Sequence, residues 1–199
     1  IYDLKPRFQA LLRPLCQKMA KAGITANQVT LLAMLLSLAV GGLLYAFPDA
    51  AWMLFLIPVT LFVRMALNAI DGMLAREHNM TTPLGAILNE IGDVVSDVAL
   101  YLPFAVVPGV PGLSVVFVVL LGMLSEMVGV VATQIGAKRR YDGPMGKSDR
   151  AFVFGMLAFL LGLGVPRGWW IEAVLWATSV LLVVTSWNRA RRALAEVSK

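Results

Sequence analysis

The chain has 199 residues, 59% of them apolar, and carries 17 Lys+Arg against 12 Asp+Glu for a net charge of +5. Charge at 15% lies well below the ~25% of soluble domains and mean hydropathy is +0.77, which excludes intrinsic disorder; the single Cys16 excludes a disulfide scaffold. The basic balance does not require a nucleic-acid partner, and none is expected, because cytoplasmic loops of membrane proteins carry the same excess.

Residues 1–22 come first, with Ile1, Leu4, Phe8, Leu11, Leu12, Leu15 and Met19 at helical spacing and Lys5, Arg7, Arg13, Lys18 and Lys21 on the other face. That pattern predicts an amphipathic helix in the membrane interface, bent at Pro14. These residues are too basic and too broken by proline for a signal peptide, and a start on Ile1 rather than Met leads us to expect residues ahead of it. Thr25 or Asn27 is the candidate N-cap of a first span, Val29 to Phe47. A second runs from Ala51 to about Arg76, and a third from Pro83 to about Val107. The Pro108–Gly112 turn cluster leads to a fourth span, Leu113 to about Ala137. After the basic loop Lys138–Arg150 come a fifth, Ala151–Val165, and a sixth, Trp169–Trp187, with a basic tail from Arg189 to Lys199. The predicted fold is an all-α integral membrane protein: a single domain, 1–199, in which the interfacial helix 1–22 precedes a six-helix transmembrane bundle, 23–199.

Sorting Lys and Arg by loop sets the orientation. The first helix, the second-to-third link, the fourth-to-fifth loop and the tail hold 15 of the 17. Both termini are therefore expected on the cytoplasmic side, as in a bacterial inner-membrane protein.

Charges within spans are costly and mark function by default. Asp71, Glu90, Asp93, Asp97 and Glu126 lie there with one base, Arg64. Asn68, Asp71, Gly72, Ala75 and Arg76 share one face of the second span, and Gly85, Asn89, Asp93 and Asp97 form a ridge on the third. Closing the hairpin at Met80–Thr82 brings Asp71 and Asp93 to one depth and Arg64 level with Asp97. Facing carboxylates with amide oxygens suit a hard divalent cation; the other reading is a hydrogen-bonded network that holds two helices together. Arg64 is expected to pair with Asp97 or Glu126, since an unpaired charge at that depth is severely unfavourable.

The run from Asn68 to Arg76, followed after eight residues by Gly85, Asn89 and Asp93, resembles the signature of the CDP-alcohol phosphotransferases, D-x-x-D-G-x-x-A-R-x8-G-x-x-x-D-x-x-x-D. Six of its eight fixed positions are present at unbroken spacing, with Asn68 and Asn89 in place of the first and third aspartates. The resemblance implies that a hydroxyl attacks the β-phosphorus of a CDP-linked lipid and releases CMP. It also implies that Asp71, Asp93, Asn68 and Asn89 hold Mg²⁺ or Mn²⁺, with Asp93 as the general base, and it suggests a homodimer. Gly72, Ala75, Arg76 and Gly85 are then donor-site residues, joined by Asn27 and Thr30, which resemble the family's Asn-x-x-Thr element; helix capping is their alternative role. Two missing charges leave either one metal, or two when substrate pyrophosphate supplies charge.

The run Gly143–Arg150 resembles the element that opens the fifth span in relatives. Lys147, Ser148 and Arg150 at a helix N-terminus, with Arg139 and Arg140, suit the phosphate of an acceptor or lipid headgroups. Arg64 and Glu126 are read as structural, with tuning of the acidic site as their alternative role, and Glu90 and Asp97 as acids that could tune the site by compensating for the two missing charges. The leading expectation is a phospholipid-synthesis transferase that moves a phosphatidyl group from CDP-diacylglycerol to a small polar alcohol. The alternatives are a CDP-lipid- and metal-binding relative with little or no turnover and, from another class, a small ion transporter. The transporter is disfavoured because acids grouped in one half of the membrane trace no path across it.

Overall fold

The computed structural model describes residues 4–198, so Ile1 of the predicted apolar stripe and Lys199 of the tail lie outside the described residues. Among these residues the chain is helical and without strands: α1 Leu4–Lys21, α2 Ala26–Ala46, α3 Ala51–Glu77, α4 Pro83–Tyr101, α5 Gly112–Val131, α6 Lys147–Gly162 and α7 Trp169–Val197, with short 3-10 turns at Leu102–Val106 and Ala132–Ile135. Among the described residues four helices are long and apolar enough to cross a membrane: α2, α3, α5 with its 3-10 extension, and α7. The other two predicted spans are shorter or more charged. Helix α4 carries Glu90, Asp93 and Asp97 within 19 residues, and α6 has only 16.

Local chemistry explains the boundaries. Thr25 caps α2: Gln28 N–H donates to Thr25 Oγ1 at 3.3 Å and Thr25 N–H donates to Gln28 Oε1 at 2.9 Å, a reciprocal capping box. Of the two candidate caps the cap is thus Thr25, which leaves the Asn27 side chain for another use. Thr82 caps α4, accepting from Gly85 N–H at 2.9 Å, with Pro83 at the first helical position where its missing N–H costs nothing. The third predicted span stops being α-helical at Tyr101, where Pro103 has no N–H to donate to the carbonyl four residues back, and it continues as the 3-10 turn Leu102–Val106. Helix α7 runs well past Trp187 to Val197, so the predicted basic tail is the last turns of a helix.

The helices gather into two compact units, one of Ile1–Val40 with Val59–Ala99 and the other of Gly41–Pro58 with Leu100–Lys199. In the first, Cys16 of α1, Ala26 and Val29 of α2, and Ile70, Met73 and Leu74 of α3 form a buried cluster that Leu12 and Met19 pack against. Leu11 and Leu15 of α1 face outward, 75% and 49% exposed. Burial pushes the Cys16 thiol pKa up, Glu77 adds to this and Arg13 opposes it, so Cys16 behaves as a small neutral core residue. In the second unit α5 packs on α7, and Tyr101 stacks on Phe154 with ring centroids 4.2 Å apart. Helix α5 buries Ser114, Gly122, Ser125 and Gly129 while exposing Leu113, Phe117, Leu120, Leu124 and Met127. Val115, Val118 and Val119 are buried with them, and the small residues on this buried face permit the close helix packing common in membranes.

Candidate functional site

In the first unit the ends of α2, α3 and α4 enclose a cavity of about 210 Å³. Eight residues singled out in the sequence line it: Asn27 and Thr30 from α2, Asp71, Gly72, Ala75 and Arg76 from α3, and Gly85 and Asn89 from α4. Their convergence follows from spacing, since positions three and four apart share a helix face. Asp71 is buried, and Thr30 Oγ1 lies 2.9 Å from its Oδ2 and 3.1 Å from Ala26 O. The single hydroxyl proton serves one of these acceptors at a time. Arg76 folds back along α3, its Nη2 3.0 Å from where a Cβ on Gly72 would stand.

Gly85 is required by a close approach. A Cβ there would stand 2.6 Å from Asn27 Oδ1 and 3.0 Å from Thr82 Oγ1. Its absence lets Asn27 reach across to donate from Nδ2 to Thr82 Oγ1 at 3.3 Å. Thr82 thus caps α4 and orients Asn27, a role that sequence reading missed. The signal was available as a Thr before a Pro at a helix start.

Asn68 and Asp93 are not among the residues lining this cavity. Deeper in the same unit, Arg64 is 2% exposed and bonds Asp97 Oδ1 through Nη1 at 2.5 Å. Its Nη2 donates to the Asp93 backbone carbonyl at 3.0 Å and lies 3.7 Å from Asp93 Oδ1. Of the two partners expected for Arg64, Asp97 is thus the one observed. Asp93 keeps more exposure, 27% of its side chain against 11% for Asp97. Glu90 is half-buried on the same helix.

No three His, Cys, Asp or Glu side chains converge as a metal cluster among the described residues. The donors expected from the sequence are two carboxylates and two amides, all oxygen ligands, and of the four only Asp71 and Asn89 line the cavity. That set fits a hard, oxygen-seeking divalent cation, with less negative charge than four carboxylates would bring.

The basic residues expected to bind phosphate lie in the second unit, and acids of that unit hold several of them. Glu126 Oε2 accepts from Arg139 Nη2 at 2.8 Å and lies 3.3 Å from Arg189 Nη1, while Oε1 accepts from Arg150 Nη2 at 3.1 Å. Arg140 bonds Asp142 Oδ2 at 2.9 Å and Glu196 Oε2 at 2.7 Å, and Arg192 reaches Asp142 Oδ1. The loop lies across α5 at Gly129, where Arg140 N–H donates to Gly129 O at 3.2 Å and a Cβ would collide with the Arg139 guanidinium. Lys147 and Ser148 occupy the first turn of α6, half-buried and exposed respectively. Arg189, counted in the sequence as a tail charge, is 1% exposed; nothing in its local sequence separated it from Arg191 and Arg192.

The CDP-alcohol phosphatidyltransferase family model matches residues 23–184. Inner membrane protein YnbA of Escherichia coli strain K12 is 46% identical over 195 residues, spanning 98% of this chain and 96% of that protein. Among solved structures, Mycobacterium tuberculosis phosphatidylinositol phosphate synthase (PgsA1) with CDP-DAG bound aligns with a TM-score of 0.76 at 20% identity, covering 90% of this chain and 92% of that one. The same enzyme in complex with manganese and citrate aligns with a TM-score of 0.77 at 19% identity, covering 91% and 88%. At these identities the structural likeness speaks for the fold.

Proposed function

The chain belongs to the CDP-alcohol phosphatidyltransferase family, and on that footing we propose that it transfers a phosphatidyl group from CDP-diacylglycerol to a small polar alcohol, releasing CMP. The observation that carries the reading is the cavity in which Asn27, Thr30, Asp71, Gly72, Ala75, Arg76, Gly85 and Asn89 meet. The acceptor oxygen forms a bond to the β-phosphorus, the bond from that phosphorus to the oxygen of CMP breaks, and the hydroxyl proton passes to Asp93. Arg76 and the Asn27 amide hold the donor's phosphate and nucleotide, and in the second unit Arg139, Arg140, Lys147, Ser148 and Arg150 are the candidates for binding an anion such as the phosphate of an acceptor or of a lipid headgroup. Asp71, Asp93, Asn68 and Asn89 would hold Mg²⁺ or Mn²⁺, one ion or two, which would neutralise charge on the donor pyrophosphate. The manganese present with PgsA1 supports that choice, as CDP-DAG bound to that enzyme supports the donor. Arg64 and Asp97 position Asp93 through its backbone carbonyl. The reading places six spans in the bacterial inner membrane, α1 in its interface, both termini in the cytoplasm and the chain in a homodimer.

The test is CMP release by the purified chain from CDP-diacylglycerol with Mg²⁺ or Mn²⁺ across a panel of alcohols. Turnover that Asp93→Asn abolishes is expected. Asn68 and Asn89 favour one second reading, a CDP-lipid-binding relative without turnover. Metal-dependent CDP-lipid binding with no CMP release for any alcohol would establish that reading instead.

A further inference from the structure

In the second unit the starts of α5 and α7 border a cavity of about 400 Å³. The loop Gly109–Pro111 forms one wall, and Arg167, Gly168, Trp169 and Glu172 form the other. Helix α5 packs on α7 and both begin here, so the two helices run in the same direction. Arg189 and Arg192, late in α7, lie at the far end of the unit.

Tryptophans set the depth of this cavity. Trp169 and Trp187 are 83% and 68% exposed. They stand 18 positions apart on one helix, or about 27 Å, close to the ~30 Å hydrocarbon core of a bilayer. Tryptophans at that spacing mark the two membrane interfaces. The cavity beside Trp169 is thus at headgroup level.

Its two charges are positioned but not spent. Gly109 is left-handed, at φ +72°, and a Cβ there would stand 2.6 Å from Arg167 Cδ. The glycine makes a bed for the Arg167 stem. Trp170 Nε1 donates to Pro166 O at 2.9 Å and closes the turn that carries Arg167. Glu172 Oε1 accepts from Trp176 Nε1 at 3.4 Å, which uses one of its two oxygens. Among the described residues neither Arg167 nor Glu172 forms an ion pair. A cation and an anion at one cavity complement a ligand that carries both signs.

Trp176 also leads out of the cavity onto an apolar track. Its ring centroid lies 5.5 Å from that of Phe117 on α5, and Trp176, Phe117 and Leu113 are all exposed. A soluble zwitterion makes no use of that surface, whereas a lipid chain covers it.

We propose that the cavity binds a zwitterionic phospholipid with a primary ammonium. The phosphate lies on Arg167, the ammonium on Glu172 and an acyl chain along Phe117 and Trp176. A guanidinium suits phosphate through its paired donors, and a carboxylate accepts from the ammonium N–H groups. The site shares no residue with the cavity of Asp71 and Arg76, and it does not depend on the transferase reading.

The experiment uses the full chain, delipidated in detergent. Dioleoyl phosphatidylethanolamine or dioleoyl phosphatidylglycerol is titrated into the micelles, and the melting temperature is read at each mole fraction. Arg167 and Glu172 are exposed, so Arg167→Gln and Glu172→Gln are expected to fold. With phosphatidylethanolamine, Arg167→Gln should weaken apparent affinity about fivefold and Glu172→Gln about threefold. With phosphatidylglycerol, which has no ammonium, Glu172→Gln should cause no loss. Unshifted phosphatidylethanolamine curves in either variant overturn the proposal, as does an equal loss of phosphatidylglycerol binding in Glu172→Gln. Water-soluble phosphoethanolamine is titrated in parallel and should not stabilise the chain. Saturable stabilisation by it at the same total concentration makes the occupant a soluble zwitterion and refutes the lipid.

Discussion

Gly85→Ala separates a binding role of Asn27 from a merely structural one. The new Cβ would stand 2.6 Å from Asn27 Oδ1, against the 3.4 Å at which ordinary contact begins, a shortfall of about 0.8 Å. Thr82 Oγ1, at 3.0 Å, is tied to the N-cap of α4, so Asn27 is the group that yields. Its rotation breaks the exposed 3.3 Å bond to Thr82, a net loss of about 0.5–1.5 kcal/mol. Replacing Gly by Ala in a helix returns up to ~1 kcal/mol, less at this third helical position. The two effects nearly cancel, and the unfolding free energy should change by less than ~1 kcal/mol. The displaced amide no longer lines the cavity, and one lost hydrogen bond to donor nucleotide lowers CDP-diacylglycerol affinity by roughly 2- to 12-fold. Binding and thermal unfolding are measured on Gly85→Ala, Asn27→Ala and the double variant. The double should bind no worse than Asn27→Ala, because both changes remove the same group. Full affinity in Gly85→Ala, or additive losses in the double, refutes the reasoning.

Arg64→Met should cost about 3–5 kcal/mol, since it strands Asp97 in the interior, whereas Arg64→Met with Asp97→Leu should recover much of that loss; a double variant no more stable than the single in detergent melts overturns the pairing argument. Asn68→Asp with Asn89→Asp should tighten Mn²⁺ binding by adding two charged oxygen ligands; unchanged affinity by calorimetry means that the amides are not ligands. For Asp142, burial pushes the carboxyl pKa up, but the Arg192 hydrogen bond and the Arg140 charge prevail and hold it below the ordinary carboxylate range. A depressed folded-state pKa contributes stability above the unfolded value of ~3.9 that is lost as pH falls through the folded one. Asp142→Asn should therefore lose less melting temperature than wild type between about pH 6 and about pH 3, and equal losses in the two proteins would falsify this.

What was legible in the sequence is what helical geometry fixes locally. Asp71, Gly72, Ala75 and Arg76 meet Gly85 and Asn89 around one cavity because intervals of three and four residues are surface neighbours on any α-helix. Arg64 with Asp97 was legible for a related reason: a hairpin of known closure brings residues at equal distance from the turn to equal depth. Contacts between distant segments left no such trace. Thr82 and Asn27 are 55 residues apart, and Arg189 meets the Ser125 carbonyl across 64. The choice between Thr25 and Asn27 as a cap was settled by Gln28, whose side chain closes the box. The basic loop was misleading in one respect: counting cations per loop orients a chain, but it does not reveal which cations an acid elsewhere in the fold has already engaged.

The two buried networks differ in stoichiometry, and stoichiometry matters more here than the number of ion pairs. In the first unit one guanidinium, Arg64, serves two carboxylates, Asp93 and Asp97, and Asp71 is buried beside a hydroxyl, so the cluster keeps an acidic surplus. In the second unit one carboxylate, Glu126, serves three guanidinium groups, and the surplus is basic. Buried ion pairs are poor sources of stability, because desolvation offsets much of their attraction. An unequal count does something that pairing cannot: it leaves a residual field of one sign in a poorly solvated place, where it acts strongly on a ligand. Removing Glu126 enlarges the basic surplus, whereas removing Arg64 enlarges the acidic one. The first change should therefore alter anion selectivity without touching metal affinity, and the second should raise metal affinity at the expense of stability.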